Sequence, residues 1–132
     1  MTNTNITLNT SYQYTDNVNS QTPLNRVFQP LIAQLTTVYY SAFFIVGTIL
    51  QNLDIPSGSL FNALIIRNLS TTATVSIYLG NTVAPANPTA VLAPGGAFIL
   101  FNPGTTLGGG GAEQLQVLAS AANTPIEYLV GF

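Results

Sequence analysis

The stretch Ala73-Thr74-Val75-Ser76-Ile77-Tyr78-Leu79 sets Ala73, Val75, Ile77 and Leu79 against Thr74, Ser76 and Tyr78. That strict period of two is the signature of a β-strand with one face on a core and the other on solvent or a neighbour. Turn chemistry brackets it. Asn68 to Thr72 precedes it, and Gly80 to Ala90, with Pro85 and Pro88, reads as a loop after it. Before the first turn, Leu60 to Arg67 is expected to be a strand with apolar residues on both faces. After the loop, Leu92-Ala93-Pro94-Gly95-Gly96 is a tight turn that opens a strand from Ala97 to Phe101. Asn102 to Ala112 contains Gly104 and the run Gly108 to Gly111, which regular structure would hold only at heavy entropic cost. Two strands close the chain. Glu113 to Ala119 points Leu115, Val117 and Ala119 inward, and Ile126 to Phe132 points Ile126, Tyr128, Val130 and Phe132 inward.

Upstream, Thr36 to Leu50 is packed with Val, Tyr, Phe and Ile in both alternating sets, which predicts one or two strands covered on both faces. Gly47 marks a bulge or a close approach there, and Asp54-Ile55-Pro56-Ser57-Gly58 supplies the turn that follows. In and just after Arg26 to Gln34, Val27, Phe28, Leu31, Ile32 and Leu35 fit helical spacing, but Pro30 opposes a helix interior, so the segment is expected to be irregular. Ile6 to Tyr14 alternates Ile6, Leu8, Thr10, Tyr12 and Tyr14 with Thr7, Asn9, Ser11 and Gln13, predicting one half-buried strand that pairs within its own subunit or with a neighbour. Asp16 to Pro23 is loop chemistry. Short strands separated by Gly, Pro and Asn turns, with no convincing helix, define an all-β chain. The expected fold is an antiparallel β-sandwich or jelly roll of about seven to eight strands over residues 26–132, with an extended N-terminal arm over residues 1–25.

Composition narrows the function. Only 5% of the 132 residues are charged, against about 25% in an ordinary soluble chain. Solubility rests instead on 17 Thr, 13 Asn, 8 Ser and 7 Gln, about a third of the chain. With 47% hydrophobic residues it can bury a core and is not disordered by composition. It has no His and no Cys, so the commonest general base, the thiol nucleophile and the soft metal ligands are missing; an enzyme and a cofactor are not expected. Two arginines and a net charge of −2 cannot build a phosphate-binding face, so nucleic acid is not an expected partner. The most apolar stretch, Val38 to Leu50, is shorter than the roughly 20 residues of a spanning helix, so no membrane partner is expected either. Met1 to Asn5 shows neither a basic nor an apolar leader segment, which points to synthesis in a cytoplasm.

Glu113 and Glu127 are the nearest pair of carboxylates and would face each other if their strands formed a hairpin. Both point outward by alternation, and like charges placed opposite repel, so catalysis is disfavoured. Asp16-Asn17-Val18-Asn19-Ser20 and Asn52-Leu53-Asp54 lack the spacing of a calcium loop and read as Asx-turns. The glycine run lacks the Lys-Ser/Thr that a phosphate loop needs. The sequons at Asn5, Asn9 and Asn68 are what an Asn- and Thr-rich chain produces by chance. Tyr12, Tyr14, Tyr39, Tyr40 and Tyr78 can anchor an interface or stack on sugars, with Tyr78 the best candidate for exposure. Leu118 and Leu129 fall on outer faces and suit burial inside an assembly. The expected interface residues are Ile6, Leu8, Tyr12, Tyr14, Tyr78, Leu118 and Leu129.

From about Asp54 to Phe132 the order of features resembles the small β-sandwich structural proteins of tailed-phage virions, the head decoration or auxiliary proteins and related fibre modules. The matching pieces are the Ile55-Pro56-Ser57-Gly58 turn, Leu69-Ser70-Thr71-Thr72 before Val75-Ser76-Ile77-Tyr78-Leu79, the Leu92-Ala93-Pro94-Gly95-Gly96 turn, and Leu115 to Ser120 leading to Ile126 to Phe132. The chain carries fewer charges than such proteins, and its N-terminal strand lies outside the shared pattern. The resemblance implies a non-enzymatic capsid component of a bacteriophage virion, made in the host cytoplasm. Its implied partners are further copies of itself, a trimer being favoured, and a major capsid or other virion protein. Two other roles fit the residues: a filament or pilus subunit held by donor strands, and a carbohydrate- or receptor-binding module marked by tyrosines beside amide side chains.

Overall fold

A computed structural model describes residues 4–9, 11–14, 24–27, 30–53, 62–79, 87–101 and 115–132. These residues form twelve strands: β1 (Thr4–Leu8), β2 (Ser11–Tyr14), β3 (Leu24–Val27), β4 (Leu31–Leu35), β5 (Val38–Val46), β6 (Gln51–Asn52), β7 (Ala63–Asn68), β8 (Val75–Leu79), β9 (Ala90–Leu92), β10 (Ala97–Phe101), β11 (Leu115–Ala119) and β12 (Thr124–Gly131). Eight of them make an antiparallel sandwich. One sheet has the order β10-β7-β12-β5 and the other β6-β11-β8-β9.

The pairing is concentric. Within residues 38–131, the first strand pairs the last (β5 with β12), the second the seventh (β6 with β11), the third the sixth (β7 with β10), and the fourth the fifth (β8 with β9). Cross-pairs β12 with β7 and β11 with β8 then close each sheet. A long antiparallel ribbon rolled up in this way is the double-sheet jelly roll. Each step such as β7 to β8 or β11 to β12 carries the chain from one sheet to the other, so alternate residues of both sheets meet in a single core. Val46, Leu64, Ile66, Val75, Ile77, Leu115, Val117, Ile126 and Val130 form it, fully or almost fully buried, with Tyr128 packed edge-on to Phe44 at 5.7 Å between ring centroids. Each such aliphatic side chain contributes about 1.5 to 3 kcal/mol of burial free energy.

Two sequence features lock the corners. Pro94 and Gly95 occupy the central positions of the β9–β10 turn. The Gly96 N–H donates to Ala93 O at 2.9 Å, and Gly95 takes the positive φ of 75° that this turn requires. Asn68 is fully buried at the end of β7. Its Nδ2 donates to Ala73 O (2.8 Å), Ala93 O (3.0 Å) and Leu92 O (3.2 Å), while its Oδ1 accepts from the Ser70 N–H (3.0 Å). One amide therefore ties the β7–β8 turn to the β9–β10 turn. A nitrogen so engaged in the core is no glycan acceptor.

The segment before the sandwich is itself paired. β1 runs antiparallel to β4 and β2 to β3, with registers that differ by one residue. The single strand expected over Ile6 to Tyr14 is thus two, and the stretch from Arg26 to Gln34 is not irregular: it contributes to β3 and β4. Pro30 explains both departures. It lacks an N–H and falls between β3 and β4, where the register changes, so the ladder is interrupted without requiring a helix. Ala33 and Leu35 alternate inward from β4 onto Ala63, with Ile6 and Phe101 beside them.

Three further expectations are corrected. Thr36 to Leu50 is not covered on both faces: β5 is an edge strand, and Tyr40, Phe43 and Ile45 stand exposed on its outer side. Its apolar run reads as doubly buried because sequence cannot distinguish a central strand from an edge strand that awaits a neighbour. The expected loop and turn around Gly80 to Gly96 contain the short strand β9, and β6 is an added two-residue strand. The strand expected from Leu60 begins at Ala63. Residues 54–61 and the glycine run, with Asp16 and Glu113, lie outside the described residues.

Candidate assembly surface

The outer face of the β10-β7-β12-β5 sheet is built row by row from strand register. One row, Phe101, Ala63, Gly131 and Val38, is roofed at its middle by β4, whose Leu35 lies over Gly131. The next row is Ile99, Ile65, Leu129 and Tyr40. Ile99 is 46% exposed and Tyr40 59%, and among the described residues no layer covers this row as the opposite sheet covers the inner face. Beyond it come Arg67 and Glu127, side by side on β7 and β12, and then Phe43 and Ile45 on the edge strand, 66% and 42% exposed. The Tyr40 hydroxyl donates to Glu127 Oε1 at 3.1 Å, and that hydrogen bond raises the Tyr40 pKa above its ordinary value.

Position opposite Glu127 is the irregularity of the sheet. Tyr128 pairs Ser41 and Ile126 pairs Phe44, leaving Ala42 and Phe43 against one residue, a β-bulge. The bulge puts Phe43 on the same outer side as Tyr40 despite their odd spacing. Simple alternation in the sequence therefore cannot place both.

The sequence-predicted interface residues fall in three places. Ile6 and Leu8 are half-buried on β1, opposite Ala33 and Leu31. Tyr12 and Tyr14 lie on β2 in register with Arg26 and Leu24. Tyr78 and Leu118 share the outer face of the other sheet, opposite Gln116 and Ser76, and both are half-buried. Leu129 alone belongs to the row just described. Among Tyr39, Tyr40, Tyr78 and Tyr128, Tyr40 and not Tyr78 stands most clearly in solvent; Phe43, Ile45 and Ile99 are the residues that sequence reasoning missed.

The second outer face is more polar. Tyr78, Gln116 and Asn52 form one row across it, and Gln116 Nε2 donates to Asn52 Oδ1 at 2.9 Å. β11 and β12 belong to different sheets and form no hairpin with each other; Glu113 itself lies outside the described residues. Among the described residues no group of three or more acidic, His or Cys side chains is placed to hold a metal ion, and no helix is long and apolar enough to cross a membrane. Comparison with protein-family models, curated proteins and solved structures found no match for this chain.

Proposed function

We infer that the protein is a structural subunit of a virion, a capsid decoration or minor capsid protein that stabilises a shell through subunit contacts. The observation that supports this most is the uncovered apolar face of a jelly roll, an architecture used by viral capsid and lectin domains. Ile99, Ile65, Leu129 and Tyr40 run in one row across the sheet, continued by Phe43 and Ile45 at its edge. A free monomer would hold such a surface in water with only six charges to keep copies apart. Permanent embedding in an assembly removes that hazard.

The test is particle composition. Virions banded from a culture that carries the gene are digested with chymotrypsin, because two arginines give too few tryptic peptides, and analysed by mass spectrometry. Peptides of this chain in fixed ratio to the major shell protein are expected. Their confinement to the cell lysate, with none in banded particles, would refute the reading.

A second reading, a carbohydrate-binding module, is favoured by the Tyr78, Gln116 and Asn52 row, which sets an aromatic ring beside amides on the polar outer face. It predicts saturable glycan binding that Tyr78→Ala abolishes.

A further inference from the structure

We propose that Gln116, Asn52 and Tyr78, one row on the outer face of the β6-β11-β8-β9 sheet, bind a sugar ring through an adjacent pair of its equatorial hydroxyls, with the Gln116 amide selecting that pair. This rests on the carbohydrate reading of that face and is independent of the assembly reading.

The sign of a ligand is a hydrogen-bonding atom that the fold leaves unused. Gln116 Nε2 donates to Asn52 Oδ1 at 2.9 Å, but Gln116 Oε1 is buried and has no hydrogen-bond partner. Such an acceptor is uncommon in a folded chain, where buried polar side-chain atoms are nearly all paired. Turning the amide over does not cure it, because Oε1 would then accept from Asn52 Nδ2 and leave Nε2 over. In either setting the fold uses one end of this side chain only.

A hydroxyl is the ligand group that suits such a site, since it donates and accepts at once. Asn52, directly across from Gln116 on β6, is exposed, and its Nδ2 makes no hydrogen bond among the described residues. The row therefore sets one donor, from Asn52, beside one acceptor, from Gln116, and hydroxyls on neighbouring ring carbons answer both. When those hydroxyls are equatorial, the flat C–H face of the sugar is free to lie on an aromatic ring. Tyr78, directly across from Gln116 on β8, supplies that ring. The adjacent row of Leu118, Ser76 and Val91 continues the surface with apolar side chains, and Val91 is exposed. Solvent does not reach Gln116 Oε1, so binding includes a side-chain rotation that opens it, and the half-buried Tyr78 on the neighbouring strand is placed to make that rotation.

The experiment titrates methyl β-glucopyranoside, whose ring hydroxyls are all equatorial, into the isotope-labelled full chain and follows the Gln116 and Asn52 side-chain amides and the Tyr78 ring by NMR. Saturable shifts at all of them are expected, and the 3-deoxy glucoside, which has no adjacent pair, should cause none. Gln116→Met keeps the length of the side chain and removes its amide. It should weaken binding about tenfold, the worth of one hydrogen bond, with an unchanged or higher thermal midpoint, because the fold sheds an acceptor that it had left unpaired. Asn52→Ala, at an exposed position, should weaken binding as well. No saturable shift with the glucoside overturns the proposal, as does equal binding of the 3-deoxy form. A lowered midpoint of Gln116→Met would show that the amide serves the fold and would overturn it too. Binding that Gln116→Met leaves unchanged but Tyr78→Ala abolishes overturns the selecting amide while the carbohydrate reading stands; failure of the natural chain to bind any sugar on a glycan array overturns that reading with it.

Discussion

Leu35 lies directly over Gly131. A methyl group added at Gly131 would come within 2.6 Å of Leu35 Cδ2 and 3.0 Å of its Cγ, so the glycine is the notch into which the N-terminal segment docks on the sheet. The contact sits beside the β4–β5 corner, since the Phe132 N–H donates to Thr37 O and the Phe132 carbonyl accepts from the Thr36 and Thr37 N–H groups.

Gly131→Ala should therefore destabilise the protein, although alanine normally suits a strand better than glycine by about 0.5 to 1 kcal/mol. Overpacking at a buried site costs about 1 to 3 kcal/mol, which outweighs the backbone gain. Chemical denaturation of Gly131→Ala, Leu35→Ala and the double variant checks it. The double variant should be less destabilised than the sum of the two single ones, because the added methyl group then fills space that Leu35 has vacated.

How far this was legible in sequence follows from the kind of information each feature needs. The Ala73 to Leu79 alternation and the Pro94-Gly95 turn are local, and both stand as expected. The concentric strand pairing is a long-range property that no window of residues carries. Leu129 was recognisable as outward because β12 alternates regularly. Tyr40 and Phe43 were not, because a bulge shifts their phase and because an uncovered edge strand has the composition of a covered central one. The pairing of β1 with β4 depends on a reversal of the chain between β2 and β3, a long-range return that no local pattern carries, and Pro30 marks the change of register between β3 and β4.

Asn68 offers a sharper test of the core. Its Nδ2 faces three carbonyl oxygens, so Asn68→Asp replaces a donor with an acceptor among acceptors. An uncompensated buried charge costs about 3 to 5 kcal/mol. The new carboxyl favours its protonated form in the folded state, so its folded pKa lies above the unfolded value of about 3.9. The folded protein then binds more protons than the unfolded one, and stability falls as pH rises through the interval between the two values. Urea midpoints measured across acidic pH should show the variant recovering toward the natural protein as pH drops.

Tyr40 should titrate above the ordinary tyrosine value. Glu127 holds its hydroxyl proton and raises its pKa above the ordinary value of about 10. The linked stabilisation is present below that value and is lost as pH rises through the folded pKa, because the folded state there retains a proton the unfolded state has released. Glu127→Gln should bring the Tyr40 transition back toward its ordinary position, as followed by NMR of the ring.

Removal of residues 1–22 should leave the jelly roll folded. Among the described residues the main core draws no fully buried side chain from before Val46, and of the two strands lost, β1 and β2, β1 places Ile6 against the small cluster of Ala33, Leu35 and Ala63. One half-buried isoleucine corresponds to about 1 to 2 kcal/mol. Thermal unfolding of the truncated chain should remain a single cooperative transition at a modestly lower midpoint.

The central claim is that this chain works as a subunit of an assembly, and the mass of the purified protein in solution tests it most directly. Light scattering on the full chain and on a chain beginning at Thr22 should show a discrete closed oligomer, a small whole-number multiple of the monomer mass, in both, since the outer-face row of Ile99, Ile65, Leu129 and Tyr40 is present in both. A single monomeric species in both at every concentration, 13.9 kDa for the full chain, would contradict the account and turn attention to glycan binding on the Tyr78 face.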